Sequence, residues 1–375
     1  MKKSAGRFRF FAASLLLAAL VFVVPALREG NATLYLLAAA VPCAMLLFGT
    51  AFARMFSLDR MTISLVLWLS AAGVAALAWA DPESALAQAL RCGAGMAVLL
   101  VGGVLIRSLS PSLLTSSCTA FLGLLLLAAK LISPALTLPL AEVALPFLLI
   151  AFAALFSRQG PVPALAVGFA GLAFLLIRGY LAEAAIWAIT VLLLAFAADG
   201  RLVVLLPALA ITGAILYVTF TLFPLSSFRQ DSEMLNTLVS AGAVGVDPLP
   251  EAFAALKTGS LFPLLTGSFG LIFASLTALL FLPLTLRGTA VAACARLRFH
   301  GILSMGASLL LSLRALASLL AVFGFLPFDG LHLPFLTDSL PALCGELFLA
   351  GLLCGIAGRN DADLAEDAHL AMLAR

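Results

Sequence analysis

The chain has 375 residues, 63% of them hydrophobic and only 10% charged, with a mean hydropathy of +1.18. A soluble domain carries roughly 25% charged residues, so this composition excludes a water-soluble fold and makes lipid the solvent for most of the surface. A net charge of +3, thinly spread, gives no support to nucleic-acid binding.

Apolar runs of about 18–24 residues recur from one end to the other, each long enough to cross a hydrocarbon core of roughly 30 Å. They are rich in Leu, Ala and Phe and lack period-two alternation, which favours helices over barrel strands. In chain order the predicted spans are 10–27, 32–53, 61–80, 86–106, 112–132, 139–157, 161–178, 181–198, 202–223, 262–286, 302–325 and 340–357. The fold class is therefore an all-α polytopic transmembrane bundle of about twelve spans. The first span begins like a signal peptide, but its apolar run is long and no A-x-A site follows it, so it is expected to stay uncleaved.

Basic residues fall in alternate connections: Lys2, Lys3, Arg7 and Arg9, then Arg54 and Arg60, Arg107, Arg158, Arg201, Arg287, Arg296 and Arg298, and finally Arg359 and Arg375. About 14 of the 21 Lys and Arg thus share one side, which predicts cytoplasmic amino and carboxyl termini. The six cysteines (Cys43, Cys92, Cys118, Cys294, Cys344 and Cys354) lie in or beside apolar runs with no C-x-x-C spacing. They read as packing residues, not as a disulfide framework or a metal site. No Walker loop or dinucleotide glycine pattern is present, and no cofactor or metal is expected.

Two segments stand out. The long outer loop, 224–260, holds Arg229, Asp231, Glu233, Asp247, Glu251 and Lys257. Its stretches 233–244 and 250–256 have the apolar spacing of short surface helices. Long structured loops on a rigid bundle commonly handle substrates. The second segment, GFLPFDGLHLPFL (324–336), carries prolines and glycines that end one helix and keep another from starting. Broken backbone at membrane depth is tolerated where protein or a watery cavity covers it, so this segment is expected to line an outward-facing cavity. Arg314 and Glu346 are intramembrane charges and should face the bundle interior. Falling at similar depth in the last two spans, they are expected to pair as a structural clamp.

The sequence resembles the SEDS family of rod-shape and cell-division membrane glycosyltransferases. The family's carboxyl-terminal pattern, roughly GLLPVTGIPLPFVSYGGSS, is matched here by GFLPFDGLHLPFLTDSLPA, with Gly324, Pro327, Gly330, Leu333, Pro334 and Phe335 in register. Thr337 stands at a family serine, and Asp338, Ser339 and Leu340 replace its tyrosine and paired glycines. Upstream, EMLNTLVSAGAVG (233–245), the 262–288 helix and AEVALPFLLIAFAALFSRQG (141–160) look like further family segments in the same order. The likeness covers a SEDS-like domain at 59–358, leaving a two-helix extension at 1–58 and a polar cytoplasmic tail at 359–375.

Such a resemblance implies a multi-pass protein of the bacterial inner membrane that acts in peptidoglycan synthesis, cell division or shape control. Its partners would be a lipid II-like precursor, the bilayer and a class B penicillin-binding transpeptidase. The precursor would be contacted by Gly330, Pro334, Phe335, Thr337 and Asp338. Polymerisation needs a carboxylate to take the proton from the attacking sugar hydroxyl. At the family's aspartate this chain has Gly259, at its paired glutamates Gly267 and Ser268, and at its lysine Leu145. Glu142 remains, and Asp247 and Glu251 are the other carboxylates that could substitute. These departures point to a member without glycosyltransferase activity. A transporter or lipid flippase, or a non-catalytic scaffold for a transpeptidase, remain alternatives.

Overall fold

The computed structural model describes residues 18–27, 30–132, 140–200, 202–222, 240–245, 260–326 and 331–373. Helices fall in every one of the predicted span intervals. They are α1 (Ala18–Leu27), α2 (Ala32–Met55), α3 (Arg60–Ala80), α4 (Pro82–Ser108), α5 (Leu113–Ile132), α6 (Leu140–Gln159) and α7 (Pro161–Ile177). After these come α8 (Leu181–Asp199), α9 (Leu202–Leu222), α10 (Phe262–Leu279), α11 (Phe281–Ala293), α12 (Arg298–Val322) and α13 (Leu340–Leu373). Among the described residues, 8 helices are long and apolar enough to cross a membrane, counting α10 and α11 as one rod, Phe262–Ala293. The chain is a multi-pass helical membrane protein.

Local signals set the helix ends. Asn31 accepts from Thr33 N at 2.9 Å, and Asp81 accepts from Glu83 N at 3.2 Å with Pro82 filling the first helical position. Each provides an acceptor for amides that the first turn leaves free. Gly200 ends α8 in the left-handed conformation (φ +66°). The tail does not stop at the predicted span end. α13 continues to Leu373, held by Asn360 Nδ2 donating to Val291 O at 2.9 Å and by an Arg296–Asp363 contact at 3.9 Å.

The bundle is stitched by small residues. A Cβ at Gly95 would lie 2.3 Å from Leu347 Cδ1, at Gly351 2.2 Å from Leu99 O, and at Gly355 2.3 Å from Gly103 O. These contacts advance together by one turn, so α4 and α13 run parallel with their backbones in direct contact. Between helices embedded in lipid, such close van der Waals packing replaces the hydrophobic drive available in water.

α10 is not continuous. Gly270 breaks it with φ 82°, ψ 170°, and a Cβ there would sit 2.3 Å from Ala243 O. The amides freed by the break are met by the loop: Leu271 N donates to Gly242 O at 3.1 Å and Ile272 N to Ala243 O at 3.4 Å. Of the two stretches expected as surface helices, only 240–244 is described: Ser240 is helical, and 241–244 is a turn wedged into the helix break. The rest of both lies outside the described residues.

The end of the bundle opposite this loop is tied by one strong pair. Asp59 caps α3, accepting from Thr62 N at 3.1 Å, and receives Arg287 Nε and Nη2 at 3.0 Å each. Burial pushes the Asp59 carboxyl up, but Arg287 and the Thr62 donors outweigh burial and hold its pKa below the ordinary 3.8. A carboxyl with a depressed folded pKa adds stability that is complete above its unfolded value and fades as pH falls through the folded one. Asp59→Asn should therefore cost about 2 kcal/mol at pH 7. Thermal unfolding in detergent should show the gap between wild type and variant closing as pH drops below 3.8. A constant gap would contradict the assignment.

Candidate functional site

The segment between α12 and α13 is not a surface turn. From Leu331 to Thr337 it is a buried non-helical strap, with Leu333, Phe335 and Leu336 at 0% exposure. Pro334 sets a turn, and Phe335 follows at φ 68°, a conformation rarely adopted by a bulky side chain. Its ring lies parallel to Phe281 at 6.4 Å. Leu336 O accepts from Leu261 N at 3.1 Å, Ser260 forms an isolated bridge with Thr337, and Thr337 O accepts from Gln88 Nε2 at 2.7 Å. The strap thus fastens the far end of the long loop to α4.

Beneath the strap lies a cluster of buried charges. Arg314 on α12 contacts Glu183 on α8, Glu346 on α13 at 3.4 Å and Glu142 on α6 at 3.8 Å. His332 Nε2 on the strap lies 3.0 Å from Glu346 Oε1 and 3.7 Å from Glu142 Oε1. Phe335 N donates to Glu346 Oε2 at 2.6 Å. Glu142 and Glu183 each sit in the first turn of a helix, where the dipole favours an anion. A Cβ on Gly345 would lie 2.5 Å from Glu142 O, so the missing side chain brings α13 against α6 and sets Glu346 beside Glu142.

Three carboxylates face one guanidinium and one imidazole. Removing charges from water costs several kcal/mol per ion unless partners and hydrogen bonds replace the solvent. Here the replacement is nearly complete: Glu346 alone meets Arg314, His332 and a backbone amide. Glu142 Oε2 is the exception, buried without a hydrogen-bond partner. It faces a hollow lined by Glu142, Leu145, Ile186, Arg314, Glu346 and Leu349. That hollow has room for about one water molecule.

The structure brings several expected residues together. Arg314 and Glu346 pair as the sequence predicts, and Glu142 joins them. Pro334, Phe335 and Thr337 belong to the strap, with Asp338 half-buried at its end. Gly330, Asp247, Glu251 and Gly259 lie outside the described residues. Glu183 and His332 were not expected in the cluster. A cue for Glu183 exists in the paired starts of α6 and α8, Leu140-Ala141-Glu142 and Leu181-Ala182-Glu183. No group able to hold a metal ion occurs among the described residues.

A family model of FtsW, RodA and SpoVE, described as cell cycle proteins, matches residues 240–361, which hold the strap, Arg314 and Glu346. Among curated proteins, a probable peptidoglycan glycosyltransferase FtsW of Geobacter sulfurreducens is 38% identical over 90 residues, 24% of each chain. One from Geobacter metallireducens is 35% identical over 111 residues, 30% of this chain and 28% of that one. This chain thus spans about a quarter of the length of these relatives. The rod shape determining protein RodA of Thermus thermophilus shares the fold, with a TM-score of 0.59 at 19% identity, covering 80% of this chain and 97% of that one. A chain from a peptidoglycan synthase complex that coordinates polymerization and crosslinking gives a TM-score of 0.60 at 20% identity, covering 81% and 98%.

Proposed function

The chain belongs to the SEDS family, as a divergent, glycosyltransferase-like member, and from that premise we propose that it engages a lipid-linked cell-wall precursor without polymerising glycan. The contact is made at the loop end of the bundle, by the strap and the 224–260 loop. The observation that carries this reading is the state of the buried carboxylates. Glu142, Glu183 and Glu346 are gathered on Arg314 under the strap, beside a hollow with room for about one water. A catalytic base must reach the proton that it removes. Carboxylates gathered on Arg314 below the strap fix charge and shape there. The position that resembles the family's aspartate is Gly259.

In this reading the chain crosses the bacterial inner membrane about twelve times, with both termini in the cytoplasm and the loop end outward. Arg54, Arg60, Arg107, Arg158, Arg296 and Arg298 lie at or near the opposite helix ends, which supports that orientation. A class B penicillin-binding transpeptidase is the partner that this placement would serve. The test is equilibrium binding of fluorescent lipid II to the purified protein in nanodiscs. Saturable binding in about the micromolar range, absent from empty nanodiscs, is expected. Signal no greater than in empty nanodiscs would overturn the reading.

A further inference from the structure

The strap contains a residue that its own backbone does not favour. Phe335 holds φ 68°, a strained conformation that a non-glycine residue keeps only where the surroundings impose it. Its ring has Phe281 for a neighbour, but its amide has a charged acceptor, Glu346 Oε2, at 2.6 Å. The other oxygen of the same carboxylate takes His332 Nε2 at 3.0 Å. One side chain on α13 therefore holds the strap at two points three residues apart. Glu346 is in turn fixed by Arg314 at 3.4 Å, and Arg314 by Glu142 on α6 and Glu183 on α8.

We propose that Glu346 is the positioning residue for the strap: it pins Phe335 and His332 to a charge cluster anchored on three other helices, and so sets the floor of the loop-end surface. The strap's other ties lie farther along, where Leu336 O accepts from Leu261 N and Thr337 O from Gln88 Nε2. Movement of the strap is thus passed to the end of the long loop, and the pin at Glu346 limits both. The consequence for precursor binding rests on the function proposed above; the pinning itself does not.

Two neutral isosteres separate pinning from charge balance. Glu346→Gln and Glu183→Gln each remove one negative charge from the cluster, yet Glu183 touches Arg314 and no strap atom in the described contacts. Hydrogen exchange over 331–337 is measured in both variants, with thermal unfolding as a check on folding and fluorescent lipid II as the binding probe. Glu346→Gln should raise strap exchange about tenfold or more, since a charged acceptor is lost, while exchange in α3 stays at the wild-type rate. Glu183→Gln should leave the strap within about threefold of wild type. Equal loosening in the two variants, or none in Glu346→Gln, would overturn the proposal. If Glu346→Gln alone loosens the strap while the wild type binds no lipid II, pinning stands and the precursor reading falls.

Discussion

Arg314→Met should nearly abolish accumulation of folded protein. Its guanidinium is the shared partner of Glu142, Glu183 and Glu346, and its side chain is 7% exposed. Removing one partner of a buried pair leaves an uncompensated charge and costs about 3–5 kcal/mol; here three carboxylates lose their partner together. That loss is comparable with the whole stability of many proteins, about 5–15 kcal/mol. Size-exclusion profiles of a fluorescent fusion in detergent report the folded fraction directly. The combination Arg314→Met, Glu142→Gln, Glu183→Gln and Glu346→Gln removes the charges as a set and should recover much of the monodisperse peak. A single variant that accumulates normally would mean that the cluster is solvated and carries little of the fold.

Gly351→Leu should be the most damaging single substitution on the α4–α13 seam. A Cβ there meets Leu99 O at 2.2 Å and the Leu99 carbonyl carbon at 3.0 Å, so backbone, not a flexible side chain, stands in the way. The helices must separate along a seam continued by Gly355 against Gly103. Overpacking costs about 1–3 kcal/mol where side chains can shift, and the rigid obstacle here places this variant at or above the top of that range. Gly93→Leu on α4, the other helix of the pair, is the control, because nothing lies within 4 Å of its Cβ position. It should be neutral or gain up to about 1 kcal/mol from helix propensity. Thermal unfolding of the two variants side by side gives the comparison, and equal shifts would contradict the packing account.

The helices were legible because each span is a predominantly apolar run, a property of neighbouring residues. The Arg314–Glu346 pair was legible for a related reason: a charge inside such a run must find a partner, and few were on offer. Glu183 was not, although it is in direct contact with Arg314. An acid in the first turn of a helix has a sufficient local explanation, and nothing in LAEAAIWA says which neighbour it faces. Gly270 was likewise hidden. A glycine in an apolar helix is ordinary, and its φ of 82° arises because residues 240–245 fill the break from far along the chain. The tail reads by composition as a frayed or surface helix; it is helical to Leu373, and the part not legible is its contact with Val291 and Arg296 on other elements. What the sequence left unread is in each case a contact between distant segments.

The most direct test is a polymerisation assay with purified protein, lipid II and a divalent cation, read as glycan chain length on a gel. Wild-type protein should leave lipid II unpolymerised over hours. Glycan strands made by the wild type and abolished by Glu142→Gln or Asp247→Asn would mean that another carboxylate has taken over at the loop end, and that the chain is a working polymerase.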